Sequence, residues 1–69
     1  MAESVYKIIE VVGTSTESWE AAARGAVERA SSTLRDLRIA EVEKLDMTVD
    51  KNRILYRARI KLSFKYEEG

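Results

Sequence analysis

Apolar and polar residues alternate strictly along the last third of the chain. From Ile54 to Tyr66 every even position is apolar (Ile54, Tyr56, Ala58, Ile60, Leu62, Phe64, Tyr66), and every odd one except Leu55 is polar or charged. A period of two held this long belongs to a β-strand, whose side chains point to alternate faces. Thirteen residues at about 3.3 Å each reach about 43 Å. A compact chain of this length has a diameter of only about 30 Å. The strand is longer than the domain it sits in, so it must bend, or its far end must belong to an assembly.

Val5–Val12 is rich in β-branched residues and predicts a first strand ending at Gly13, with apolar side chains on both faces. Gly13-Thr14-Ser15-Thr16-Glu17 then reads as a helix start. Thr14 and Glu17 have capping-box spacing, Ser15 is a competing cap, and Glu17 and Glu20 suit the positive end of a helix. The helix is predicted over about Glu17–Leu34, with Trp19, Ala23, Ala26, Val27, Ala30 and Leu34 on one stripe and Arg24, Glu28 and Arg35 outside it. The alanines allow a sheet to approach closely, and Trp19 on that stripe reads as a core residue. Asp36-Leu37-Arg38 turns the chain into a second strand. Its apolar parity slips by one between Val42 and Leu45, the mark of a β-bulge near Glu43-Lys44.

A hairpin with Lys51-Asn52 at its tip places Val49 opposite Ile54, Met47 opposite Tyr56, Leu45 opposite Ala58 and Asp46 opposite Arg57. Beyond the bulge it sets Glu43 by Arg59, Glu41 by Lys61 and Ile39 by Ser63. Apolar meets apolar and acid meets base, as cross-strand pairs require. The fold class is α+β: one domain over residues 1–69, of order β-α-β-β, with a three-stranded antiparallel sheet curled around one helix. The other sheet face and the sheet edges are left uncovered, so burial against copies of the same chain is expected.

Composition narrows the chemistry. Sixty-nine residues without Cys or His leave no disulfide, no Cys/His zinc site and no Cys or His nucleophile. That leaves association as the staple for so small a scaffold. Twelve basic and twelve acidic side chains cancel, against a nucleic-acid partner held by phosphate neutralisation. No apolar run approaches the ~20 residues of a membrane span, so no membrane partner is expected and the chain reads as cytoplasmic. Serine has no evident base beside it, and the carboxylates have basic neighbours that keep them ionised, so catalysis is not expected. Tyr6, Tyr56 and Tyr66 are candidates for a small-ligand surface, although tyrosines on a strand face are more often packing residues.

Val5-Tyr-Lys-Ile-Ile-Glu-Val-Val-Gly-Thr-Ser15, the alanine-rich helix, Ala40-Glu-Val42 and Leu62-Ser-Phe-Lys-Tyr-Glu-Glu68 resemble a dodecin over nearly the whole chain. The resemblance implies a hollow homododecamer of 23 symmetry that binds small ligands, such as riboflavin or FMN, without catalysing a reaction. Its flavin site is largely substituted here. Ile39 stands where a stacking tryptophan is typical, Arg57 where a glutamine meets the ring edge, and Asp46 where some members place an arginine near the FMN phosphate. Only Lys65 keeps its basic character. Without the aromatic plane, roughly 0.5–1.5 kcal/mol per stacking contact is lost, so flavin binding is expected to be weak or absent. Arg38-Ile-Ala40 with Asp46-Met47 resembles the subgroup lacking that tryptophan, for which calcium is the implied ligand. Asp36, Glu41, Glu43, Asp46 and Asp50 are candidate carboxylates. The metal ligands stay open, because calcium needs six to eight oxygens and no EF-hand loop is present.

Overall fold

The computed structural model describes residues 4–65, so Tyr66 of the last predicted strand lies outside the described residues. Strand β1 (Tyr6–Ser15) leads to helix α1 (Trp19–Ser31), then to β2 (Leu37–Asp50) and β3 (Arg53–Lys65). The three strands form one antiparallel sheet in the order β1-β3-β2, and the alternating strand occupies the centre. Its even positions face the helix: Ala58, Ile60 and Leu62 are fully buried and, with Ala22, form the core. Ile9, Val11, Ala26, Val27, Ala30 and Leu34 pack around them.

The helix begins later than its sequence signals suggest. Gly13, Thr14 and Ser15 remain in β1, paired with Ala58, Arg57 and Tyr56 of β3, because ladder hydrogen bonds outweigh a local cap. The cap is Ser18, whose hydroxyl accepts from the backbone N–H of Ala21 at 3.0 Å. Ser15 acts differently, its Oγ accepting from Glu17 N and shaping the corner between strand and helix. Gly13 holds the strand against the helix. A Cβ there would overlap the carbonyl oxygen of Ala22 and sit 2.9 Å from the Ala26 side chain. At the other end, Leu34 falls after the helix but still packs on the core.

The hairpin register agrees with the sequence at Asp46↔Arg57, Leu45↔Ala58, Met47↔Tyr56, Val49↔Ile54, Glu41↔Lys61 and Ile39↔Ser63. Lys51 and Asn52 both have positive φ, as a two-residue type I′ loop requires. At the bulge the pairing differs by one. Lys44, not Glu43, lies opposite Arg59, and Glu43 is the extra residue. A second irregularity at Arg38 follows Asp36, which also has positive φ.

The helix lies over β1 and β3, leaving the same face of β2 open. Of the fourteen residues of β2 only Leu37 and Asp46 are less than exposed. The molecule is 53 × 20 × 15 Å, with a radius of gyration of 14.3 Å, well above the about 11 Å of a compact chain of this length. No helix among the described residues is long and apolar enough to cross a membrane.

Candidate functional site

The sheet face turned away from the helix carries the four flavin-position residues Ile39, Asp46, Arg57 and Lys65, whereas Tyr56 lies on the helix side against Trp19. Arg57, Arg59, Lys61, Ser63 and Lys65 alternate along β3, and their neighbours on β1 and β2 form rows across it. One row is Thr14–Arg57–Asp46, the next Val12–Arg59–Lys44, then Glu10–Lys61–Glu41, then Ile8–Ser63–Ile39.

Asp46 and Arg57 meet in a bidentate pair: Nε donates to Oδ1 at 2.7 Å and Nη2 to Oδ2 at 3.1 Å. Planar guanidinium matches planar carboxylate here, the strongest form of such a pair. The hydrogen bond from Arg57 holds the Asp46 carboxyl below the usual aspartate range, and the same bond with Asp46 raises the Arg57 guanidinium. From the helix side, the Trp19 indole N–H donates to the backbone oxygen of Asp46 at 2.9 Å. The indole also meets the Tyr56 ring edge-on, with centroids 5.1 Å apart. The lone tryptophan therefore ties the helix start to β2 beneath the salt bridge, a role its place on the apolar stripe did not reveal.

Glu43 projects from the bulge toward Lys61, whose Nζ lies 3.3 Å from Oε1. Desolvation is the largest influence on Glu43 and pushes it upward. The Lys61 ammonium, which also hydrogen-bonds the carboxylate, and the nearby Arg59 hold the carboxyl below the usual range. Glu10 was not singled out from the sequence, and only the pairing of β1 with β3 brings it beside Lys61.

Of the four flavin-position residues, Asp46 and Arg57 meet within one chain, and Ile39 and Lys65 lie apart from them. Ile39 is 59% exposed and lies by Ser63, two residues from the exposed Lys65. Lys65 itself is anchored by its backbone N–H to the Asp36 carbonyl oxygen at 3.1 Å. Arg57 lies six residues further along β3, about 20 Å away. A ligand touching both ends would have to lie between copies. Nor do the candidate carboxylates gather: Asp36 pairs with Arg38, Glu43 with Lys61 and Asp46 with Arg57. Among the described residues of one chain no three acidic side chains form a group able to hold a metal ion.

Residues 5–67 match the family model described as Dodecin. The calcium dodecin of Mycobacterium tuberculosis is 49% identical over 63 residues, covering 90% of this chain and 89% of that one. Its crystal structure, described as that of a calcium-chelating immunodominant antigen with a novel calcium-binding site, superposes with a TM-score of 0.85 at 48% identity and 93% coverage of both chains. The dodecin of Streptomyces coelicolor superposes with a TM-score of 0.91 at 37% identity over the full length of both.

Proposed function

The chain belongs to the dodecin family, and on that footing we propose that it is a non-catalytic small-ligand storage protein, assembled as a hollow shell of twelve copies whose flavin position is closed. The bidentate Asp46–Arg57 pair carries this reading. Each partner satisfies the other where a flavin ring edge and phosphate would need free donors. Ile39 offers no aromatic plane at the far end. Arginine cannot accept a hydrogen bond from the ring, and an aspartate repels a phosphate. Added riboflavin should keep its fluorescence in the presence of micromolar protein, and light scattering should give a mass of about twelve times 7.9 kDa. Strong quenching at that concentration overturns the closed-site reading.

Calcium as the stored or stabilising ion is a second reading, favoured by the 49% identity to a calcium dodecin. Because one chain gathers no three acidic side chains among its described residues, the six to eight oxygens calcium requires would be drawn from several copies. A ligand bound only by the folded assembly must raise its melting midpoint. An equal midpoint in calcium and in chelator rejects calcium.

A further inference from the structure

The bulge in β2 changes which side chains meet on the sheet face turned away from the helix. The register expected from sequence sets Glu43 by Arg59, an acid by a base. The shift between Val42 and Lys44 takes Glu43 out of the ladder and puts Lys44 opposite Arg59. Like charges directly opposite on paired strands are unfavourable, and bulges commonly re-aim side chains beside functional sites. Here the bulge exchanges a favourable pair for an unfavourable one, which a negative charge between the two bases would compensate.

The chain does not supply that charge. Neither Lys44 nor Arg59 is in an ion pair among the described residues. The carboxylates that flank the row are committed to other bases, Asp46 to Arg57 in the bidentate pair and Glu43 to Lys61 at 3.3 Å. The third member of the row, Val12 on β1, is uncharged and 48% exposed. Arg59 is half-buried on the central strand and Lys44 is exposed, so the pair is open to solvent from the β2 side. We infer that Arg59 and Lys44 bind a compact oxyanion of the phosphate class. A guanidinium can meet two oxygens of such an ion in a planar fork, and an ammonium adds a point charge on a flexible stem.

The neighbouring row limits what fits. Glu10 and Glu41 flank Lys61, about 7 Å along the strands from Arg59. A long polyanion lying along the sheet would meet those carboxylates, whereas one phosphate group would not reach them. The site stands within one chain and uses none of Ile39, Asp46, Arg57 and Lys65, so it depends neither on the flavin position nor on the shell.

Melting the intact protein in sodium phosphate and in sodium chloride at equal ionic strength tests it, because general screening is then the same in both. An ion bound by the folded protein raises the midpoint in phosphate above that in chloride. Lys44→Glu places an acid opposite Arg59. It should raise the midpoint in chloride and abolish the phosphate increment, two changes of opposite sign that a merely structural lysine would not give. Lys44→Gln and Arg59→Gln should each weaken inorganic phosphate binding at least about tenfold, and Lys44→Gln serves if Lys44→Glu does not fold. Lys51→Gln, at the hairpin tip, should keep the full increment. Methyl phosphate distinguishes the sources: an increment equal to that of inorganic phosphate assigns the terminal phosphate of a larger molecule, and none assigns the free ion. Equal midpoints of the unsubstituted protein in phosphate and chloride overturn the site. So does a phosphate increment that survives in both Lys44 variants, or one that Lys51→Gln removes as well as they do. None of these results bears on riboflavin quenching or the scattering mass, so the storage-shell reading stands or falls separately.

Discussion

Gly13 shows how one residue fixes the spacing of two elements. Its backbone needs no special φ; it is glycine because the helix backbone at Ala22 lies where a Cβ would be. Gly13→Ala therefore has to push helix and strand apart, and should cost about 1–3 kcal/mol, read as a lowered denaturation midpoint. Gly25 is the opposite case, with open space around a built Cβ. Gly25→Ala should stabilise by up to about 1 kcal/mol through helix propensity alone. The ion pairs act on pH dependence. Asp46 titrates below its ordinary range when folded, so its contribution is fully present above about pH 4 and is lost as the pH falls through the lower folded value. Asp46→Asn should lower stability at neutral pH while flattening the fall below about pH 4. Melting midpoints of the two proteins should converge in acid, and parallel curves would mean that the pair does not stabilise the fold.

Within elements, β3 was legible in sequence as far as Lys65 because it is the central strand: one face meets the core and the other is turned away from the helix, so its pattern has a single cause. The hairpin register followed from it, since pairing Val49 with Ile54 fixes every later pair up to the bulge. Which residue the bulge expels was not legible. Glu43 and Lys44 are both polar, and only the ion pair of Glu43 with Lys61 separates them. The irregularity at Arg38 left no parity slip to read. The cap differs from its sequence signal because Thr14–Glu17 has capping-box spacing, whereas the strand ladder through Ser15 displaces the start to Ser18. Ser18→Ala should accordingly cost about 1 kcal/mol, and Thr14→Ala much less in any helix-specific signal. Among the site residues, the Asp46–Arg57 contact was foreseeable from register, while the indole bond to Asp46 was not, because it depends on where the helix crosses the sheet. At the hairpin tip, Lys51-Asn52 holds two positive φ angles with only one residue suited to them. Replacing the pair by Asn-Gly should stabilise by about 1 kcal/mol.

For the molecule as a whole, a 53 Å chain whose fully buried hydrophobics among the described residues are Ala22, Ala58, Ile60 and Leu62 keeps too little apolar surface from water to offset the entropy of ordering it. Val12, Ile39, Val42, Leu45, Met47 and Val49 stay open on one chain. If assembly covers them, folding and association are one transition, and stability depends on protomer concentration. Leu62→Ala then costs about 2–5 kcal/mol, because its cavity lies inside each copy. Val49→Ala, exposed in the single chain, should destabilise only the assembled protein. Serial dilution followed in parallel by circular dichroism and light scattering separates the cases. Coupled folding predicts that secondary structure and mass disappear together, at a concentration that Val49→Ala shifts upward. A species of single-chain mass that keeps its secondary structure, indifferent to Val49→Ala, would show instead that four buried side chains are enough.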